Sequence, residues 1–399
     1  MLFLEILKKA IYGVLALTLI SVPIANHGIL DTSALSSATI GIENFSYSGK
    51  CGENLTYSFD TDTKTLTISG TGDMFGFKQY NKQPWNGYQK DIQKIVIEDG
   101  VTSIGDHAFC SLVNLTDISI PESVTSIGDI SFSNIGLTEI HIPSKVNDLQ
   151  RSIFGNNKTL KIIVSEDSLY YTTIDDVIYS KDMSELVIYP DWKDDKSFTV
   201  PDGVTTLKDG CFFSNGYLQE LILSDTVTDI GKSSISFCIK LNSLKLSSGL
   251  KTIHTGNFAN MKNLQVVTIP VGVTTIESMN FFGCDYQMVV QLPSTLTDIS
   301  ENCFYTSKNE HFTLVAPKDS YAWKYATDNN INITDSMDNV TIYEFGDINA
   351  DQNIDYLDVL LMKKYLLGMD TTKNVLADAN KDGKYNILDL LQIKSTAIK

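Results

Sequence analysis

The sequence predicts a mainly β chain. A solenoid of stacked coils stands behind a small β cap, is interrupted once by an inserted β-hairpin, and is followed by a small all-α domain. Three observations predict this. A unit of 22–23 residues recurs from Val101 to the copy that starts at Leu296. One half of each unit, L-x-x-I-x-I, alternates apolar and polar residues as a strand does. Near the C-terminus, two Asp/Asn-rich stretches of twelve residues each lead into an apolar stretch of helical length.

Taken in order, the chain opens with "MLFLEILKKAIYGVLALTLISVPIA". Lys8 and Lys9 precede an apolar run over 10–24, and small residues follow near Ala25. This is the layout of a secretory signal cut near Ala25, and the run is short for a membrane span. Residues 1–25 are therefore expected to be a signal peptide and the small, polar residues 26–43 a disordered linker. No later segment is apolar enough to enter a membrane once the signal is gone.

Residues 44–91 hold two alternating segments, Thr56 to Phe59 and Thr65 to Ser69, around an Asp-rich turn, and predict a β cap. The repeats follow, over residues 92–335. Copies start at Val101, Val124, Val146, Val204, Val227, Leu250, Val273 and Leu296, with the form V-T-x-I-G-x-x-x-F, a loop, then L-x-x-I-x-I-P. A short strand cannot bury its apolar side alone, whereas stacked coils bury a continuous ladder. Pro then ends the strand. Phe109, Phe132 and Phe258 are expected to fill the coil interior. Ten candidate strands at a spacing of about 4.8 Å would make a stack roughly 45 Å long.

These units resemble the BspA-type bacterial leucine-rich repeats, and the segment "CGENLTYSFDTDTKTLTISGTGDM" resembles the cap found in front of them. "APKDSYAWKYATDNNINI" is similar to the short closing helix of such arrays. Only the step from Val146 to Val204 breaks the period. It holds "YYTTIDDVIYSKDMSELVIYPDW", read as a β-hairpin turning at Lys181-Asp182, inserted at about 166–196. Its aromatics, Tyr170, Tyr171, Tyr179, Tyr189 and Trp192, are expected to pack the hairpin onto the solenoid rather than to hold a ligand.

Charge and composition limit the function. A formal net charge of −17 makes nucleic acid a poor partner. Cys211 and Cys303 lie seven residues past their repeat starts, and Cys238 and Cys284 eleven past theirs, which suits small core residues. Equivalent positions two coils apart would be about 10 Å apart, beyond disulfide reach. There is no nucleophile elbow, zinc helix or phosphate loop, and the histidines at 27, 107, 141, 254 and 311 are scattered. No enzyme is expected.

The tail, residues 345–399 after a linker at 336–344, carries "DINADQNIDYLD" from Asp347 and "DANKDGKYNILD" from Asp378. Both place oxygens at positions 1, 3, 5, 9 and 12 of a calcium loop, with a backbone carbonyl at 7. The first set is Asp347, Asn349, Asp351, Asp355 and Asp358, with the carbonyl of Asn353. The second is Asp378, Asn380, Asp382, Asn386 and Asp389, with the carbonyl of Lys384. Position 6 is Gly383 in the second loop but Gln352 in the first. With Asp at position 12 and no helix before either loop, the tail resembles a type I dockerin. That resemblance implies two calcium ions and a cohesin of a scaffoldin as partner. It also implies partner contacts at loop positions 10 and 11, which are Tyr356-Leu357 and Ile387-Leu388, and at Lys363, Lys364 and Lys394. The tail holds eight Asp against seven Lys, so most of the negative charge belongs to the solenoid.

The expected function is a secreted, non-catalytic recognition or adhesion protein. The solenoid would bind a protein or surface ligand, and the tail would clip it, in a calcium-dependent way, to an extracellular scaffold such as a cellulosome. The rival is a carbohydrate-binding accessory of a polysaccharide-degrading complex. Sugar binding would favour exposed aromatics along the strand face, and the positions between core residues are Lys94, Val96, Asp117, Ser119, Glu139, His141, Ile162, Val164, Glu220, Ile222, Ser243, Lys245, Val266, Thr268, Val289 and Gln291. None is aromatic. A usable apolar patch is expected at Ile222, Val266 and Val289.

Overall fold

The structure, a computed structural model, describes residues 47–77, 82–284, 288–304, 312–342, 344–369, 375–380 and 384–398. The expected signal and first linker lie outside them. Among the described residues no helix is long and apolar enough to cross a membrane.

The fold is a β-solenoid. Ten strands, from Lys94–Ile97 to Phe312–Val315, form its wide face, one per coil. They pair in parallel and in register within segments of the ladder, as Glu220 opposite Ser243 and Val266 opposite Val289 do. The V-T-x-I half of each unit makes a second ladder that alternation could not reveal. Its strands are only two to four residues long, such as Ser126–Ile127 and Thr275–Ile276. Ser126–Ile127 and Thr275–Ile276 each send one apolar side chain inward, and the ladder is stitched from coil to coil: Gly128 N–H donates to the Ile104 carbonyl at 2.9 Å. Corners between the faces pass through left-handed residues, with φ of 58° at His107, 58° at Ile130, 52° at Ser152 and 54° at Ser233, where the coils at Gly210 and Gly256 use glycine.

The repeated Phe builds the interior. Trp85 of the cap, fully buried, lies 5.7 Å from Phe109, which lies 5.7 Å from Phe132, itself 6.2 Å from Phe154. At the far end Phe258, Phe281 and Phe304 continue the column at 5.4 and 4.7 Å. Tyr325, from the closing helix Tyr321–Asp328 capped by Ser320, seals it at 6.1 Å from Phe304. All six cysteines are buried thiols, and burial pushes those of Cys51 and Cys238 up to about 12. Buried polar side chains pair between coils: the Asn280 side chain accepts from Asn257 N–H, and Asn257 from Ser234 N–H, both at 2.9 Å. The cap hairpin is Leu55–Asp60 against Thr65–Gly70, and a further strand, Tyr47–Lys50, pairs with its outer edge.

Three expectations need correction. First, Ile162 and Val164 point inward. Lys161 stands opposite Glu139 and Ile162 opposite Ile140, because this coil has one residue fewer between its Leu and its strand. The outward residues there are Lys161 and Ile163. Second, Val289 is 1 % exposed although it lies in the outward row, with Val266 and Thr313 on either side. It is therefore buried and not part of an open patch.

Third, the insert is a three-stranded antiparallel meander, Tyr171–Ile174, Val177–Ser180 and Glu185–Ile188. The second turn falls at Lys181-Asp182, with Asp182 accepting from Ser184 N–H at 3.1 Å. The first is a two-residue turn at Asp175 and Asp176, with φ of 50° and 64°. The meander joins the second ladder through Glu185 opposite Thr206. It also divides the core. Ile178 and Val187 pack into the N-terminal half, while Val177, Tyr179 and Leu186 pack into the C-terminal half. Burial on both faces explains the unbroken apolar runs "VIY" and "LVIY". Tyr171, Tyr179 and Tyr189 are buried as packing residues, and Tyr170 is exposed.

Where the meander rejoins the coils, burial pushes the Asp191 carboxyl up to about 6. An acid raised on folding stabilises fully below its unfolded value and loses that contribution as pH rises through its folded value. Asp191→Asn should therefore raise the melting temperature near neutral pH but not at about pH 4, the gain being at most about 3 kcal/mol. A variant equally stabilised at both pH values would contradict this.

Candidate functional site

The tail core is small: Val359, Met362, Ala377 and Ile393 are buried, with Ile348, Ile354 and Leu390 packed on them. Two helices, Tyr356–Leu366 and Ile387–Ala397, each begin two residues before the end of an oxygen-rich loop. Loop and helix are joined by the same clasp twice. Asp358 Oδ1 accepts from the N–H of Ile348 at 2.7 Å and Asn349 at 3.2 Å, and its Oδ2 from Asp355 N–H at 2.9 Å. Asp389 repeats this with Asn380 N–H at 3.1 Å and Asn386 N–H at 2.8 Å. Asp355 and Asn386 cap the helices, taking the N–H of Leu357 at 2.7 Å and of Leu388 at 2.8 Å. The spacing D-x-x-D at 355–358 and N-x-x-D at 386–389 is thus a capping box as well as a ligand pattern, a role readable from sequence but missed there.

In the first loop, Asp347 accepts from Asp351 N–H at 3.0 Å and Gln352 N–H at 2.8 Å. Asp351 accepts from the Asn349 amide at 2.6 Å and Asn353 N–H at 2.9 Å, and these donors, the Asn349 side chain first, hold its carboxyl below the usual range. Among the described residues no three acidic side chains are drawn together as a metal cage would draw them. The donors nevertheless suit a hard cation. Asp347 and Asp358 are buried, at 1 % and 0 % exposure, and no cationic side chain pairs with either among the described residues. Buried charge of one sign is costly without a counter-charge, and Asp and Asn offer oxygen, the calcium ligand. In the second loop Asp378, Asn380, Lys384, Asn386 and Asp389 are described; Asp382 and Gly383 lie outside the described residues.

Gln352 has φ of 71°, the left-handed conformation that Gly adopts freely. Relieving it should be worth roughly 1–2 kcal/mol. If that acts on cation binding, Gln352→Gly tightens the first loop about five- to thirty-fold. Calorimetric calcium titration checks this, and two equal sites in the natural protein would contradict it.

The partner residues expected from sequence are solvent-facing. Tyr356 is 68 % exposed, and Leu357, Ile387 and Leu388 are about half exposed. Leu360 and Leu391 extend the same faces one turn on and are also exposed; their i+3 and i+4 spacing was the signal that sequence reasoning overlooked. Lys363, Lys364 and Lys394 lie in the last turns of the helices. Lys363 Nζ stands 5.9 Å from the Tyr356 ring centre, so it is engaged within its own helix.

Comparison with protein families places six copies of the BspA type leucine rich repeat region over residues 87–193 and 191–311, more than half of the chain. The chain belongs to the BspA-type leucine-rich repeat proteins. This one carries a type I dockerin domain, matched over residues 345–396. Leucine-rich repeat and dockerin are non-catalytic kinds of module, typical of extracellular or cell-surface bacterial proteins, and type I dockerins generally bind calcium. A leucine rich cell surface protein from Faecalibacterium prausnitzii shares the fold: it is 22 % identical, with TM-score 0.50, over 73 % of this chain and 98 % of that one. A leucine-rich repeat protein from Eubacterium ventriosum is 22 % identical, with TM-score 0.44, over 66 % of this chain and 96 % of that one. No curated protein matches the chain.

Proposed function

We propose that this protein is exported through residues 1–25 and held outside the cell by its dockerin on a cohesin of a scaffoldin, in a cellulosome-type complex. There its solenoid binds a protein ligand, without catalysis of its own. The reading assigns two calcium ions to the tail. Asp347, Asn349, Asp351, Asp355 and Asp358 with the Asn353 carbonyl would hold one; Asp378, Asn380, Asp382, Asn386 and Asp389 with the Lys384 carbonyl would hold the other. The bound cations supply the positive charge that lets the loop carboxylates stay buried. The chain then presents Tyr356-Leu357 and Ile387-Leu388, supported by Leu360, Leu391, Lys364 and Lys394, to the cohesin.

The observation that carries the reading is the pair of exposed apolar faces, one per loop, on a domain too small to spare them. A protein rather than a sugar is favoured for the solenoid because its outward strand positions, from Lys94 through Lys161 and Ile163 to Thr313, include no aromatic ring among the described residues. The chain, anchored by its tail to a cohesin-coated surface, can be probed with protein and glycan arrays. Retention only in calcium and signal from proteins alone are expected. Signal from glycans alone would shift the solenoid to carbohydrate binding, and no retention in calcium would remove the tether.

A further inference from the structure

Each coil leaves its core for the loop before the wide-face strand through one left-handed residue. The backbone there is fixed by the next coil: the N–H groups of Ser111, Asn134, Ser214, Phe237 and Asn260 each donate to one of its carbonyls at 2.8–3.0 Å. Among the described residues the place falls to Ser111, Asn134, Asn156, Ser214, Asn260 or Gly283 in six coils, all small or amide residues. In the seventh it is Phe237, with φ of 62°, and a bulky ring is strained there. The ring is not buried in return. It is 40 % exposed, tilted 50° against Phe213 with ring centres 5.2 Å apart. Ile239, whose N–H donates to the Phe237 carbonyl, is also 40 % exposed, and Tyr217 is 38 % exposed. Cations border this strip. Lys240 Nζ stands 5.4 Å and Lys196 Nζ 5.8 Å from the Tyr217 ring centre, and among the described residues neither lysine pairs with a carboxylate. Asp195, next to Lys196 in sequence, is taken by Lys193 at 3.3 Å and by the Tyr189 phenol at 2.8 Å. At the other end the Arg151 guanidinium stands 5.8 Å from the Phe213 ring centre and 3.6 Å from Asp129.

The corner needs no ring for packing, since Ser or Asn serves in the sister coils. A strained aromatic that stays exposed is held for the face it shows. Exposed apolar side chains edged by free ammonium groups are complementary to an apolar surface edged by carboxylates. The tilt of Phe237 against Phe213 and the branched Ile239 make the strip knobbed, which suits side chains of a polypeptide better than the flat ring of a sugar. We propose that Phe213, Phe237, Ile239 and Tyr217, with Lys196 and Lys240, form the surface on which the solenoid docks its protein ligand, and that the ligand brings to it a segment of apolar residues with Asp or Glu beside them. This rests on the protein-ligand reading above and adds where the ligand sits and what it carries.

The full chain can be titrated, by fluorescence anisotropy, with short labelled peptides that alternate Glu and Leu, Gln and Leu, Lys and Leu, or Glu and Ser, and with labelled polygalacturonate as an acidic sugar. Expected are saturable binding of the Glu-Leu peptide, at least tenfold weaker binding of the Gln-Leu and Glu-Ser peptides, and none of the Lys-Leu peptide or the polygalacturonate. Phe237→Asn, which installs the residue of the sister coils, should lower affinity at least tenfold while melting at or above the temperature of the natural chain. Lys196→Gln with Lys240→Gln should remove the preference for Glu-Leu over Gln-Leu. No binding of the Glu-Leu peptide, equal binding of the Gln-Leu peptide, or binding of polygalacturonate in its place would overturn the proposal. So would unchanged affinity in Phe237→Asn, or a lower melting temperature, which would make the ring a packing residue. A lysine double variant that keeps the full preference would overturn it too. Protein-array signal that both variants leave intact would keep the protein-ligand reading and remove this surface. Glu-Leu binding with no signal from any protein would keep the surface and remove that reading.

Discussion

Charging both Leu357 and Leu388 is expected to abolish cohesin binding, while charging either alone should weaken it less than about tenfold, or about 1.4 kcal/mol. The reason is the duplicated clasp. Asp358 with Asn349 and Asp355, and Asp389 with Asn380 and Asn386, make the same hydrogen bonds. A half-turn that exchanges the two segments thus superposes equivalent geometry. Both segments then offer an exposed apolar pair with Leu second. A cohesin surface fitted to one pair meets a similar pair after rotation, so one lesion is avoided by using the other half. With both leucines changed to Asp, each pose buries an unpaired charge. Titration of the three variants with the matching cohesin checks this. Complete loss in one single variant would show that the tail has one working face.

The second large effect lies in the solenoid. Val289→Asp should destabilise it by more than about 4 kcal/mol, combining the lost burial of a valine with a carboxylate taken out of water. Val266→Asp, one strand earlier in the same row and half buried, should cost about 1 kcal/mol. Urea unfolding midpoints separate the two. Equal, small losses would place Val289 at the surface and restore an apolar patch there.

The solenoid was legible because its signal is repeated. Each inward Ile, Leu and Phe recurs at a fixed place in the unit, and Cys211 with Cys303, and Cys238 with Cys284, keep fixed places too. What escaped has particular causes. Two-residue strands such as Ser126–Ile127 are too short to show alternation. The slip that turned Ile162 and Val164 inward came from one residue missing after Leu160, invisible when the apolar run reads alike in either register. The first turn of the insert uses Asp175-Asp176 where Asn-Gly would have announced it, so three strands read as two. In the tail, the oxygen spacing was plain, but the same residues also cap the helices, and one pattern masked the other. The strip at Phe237 was not readable as one surface. Phe213, Tyr217, Phe237 and Ile239 sit at different places in their units and come together only where two coils stack.

A calcium-dependent tether on a recognition solenoid can be tested by calorimetric titration of the full chain with a panel of scaffoldin cohesins, in calcium and after chelation. One-to-one binding to a matching cohesin in calcium, none after chelation, and recovery when calcium is restored are expected. Binding that persists after chelation, or no cohesin bound in calcium, would contradict it.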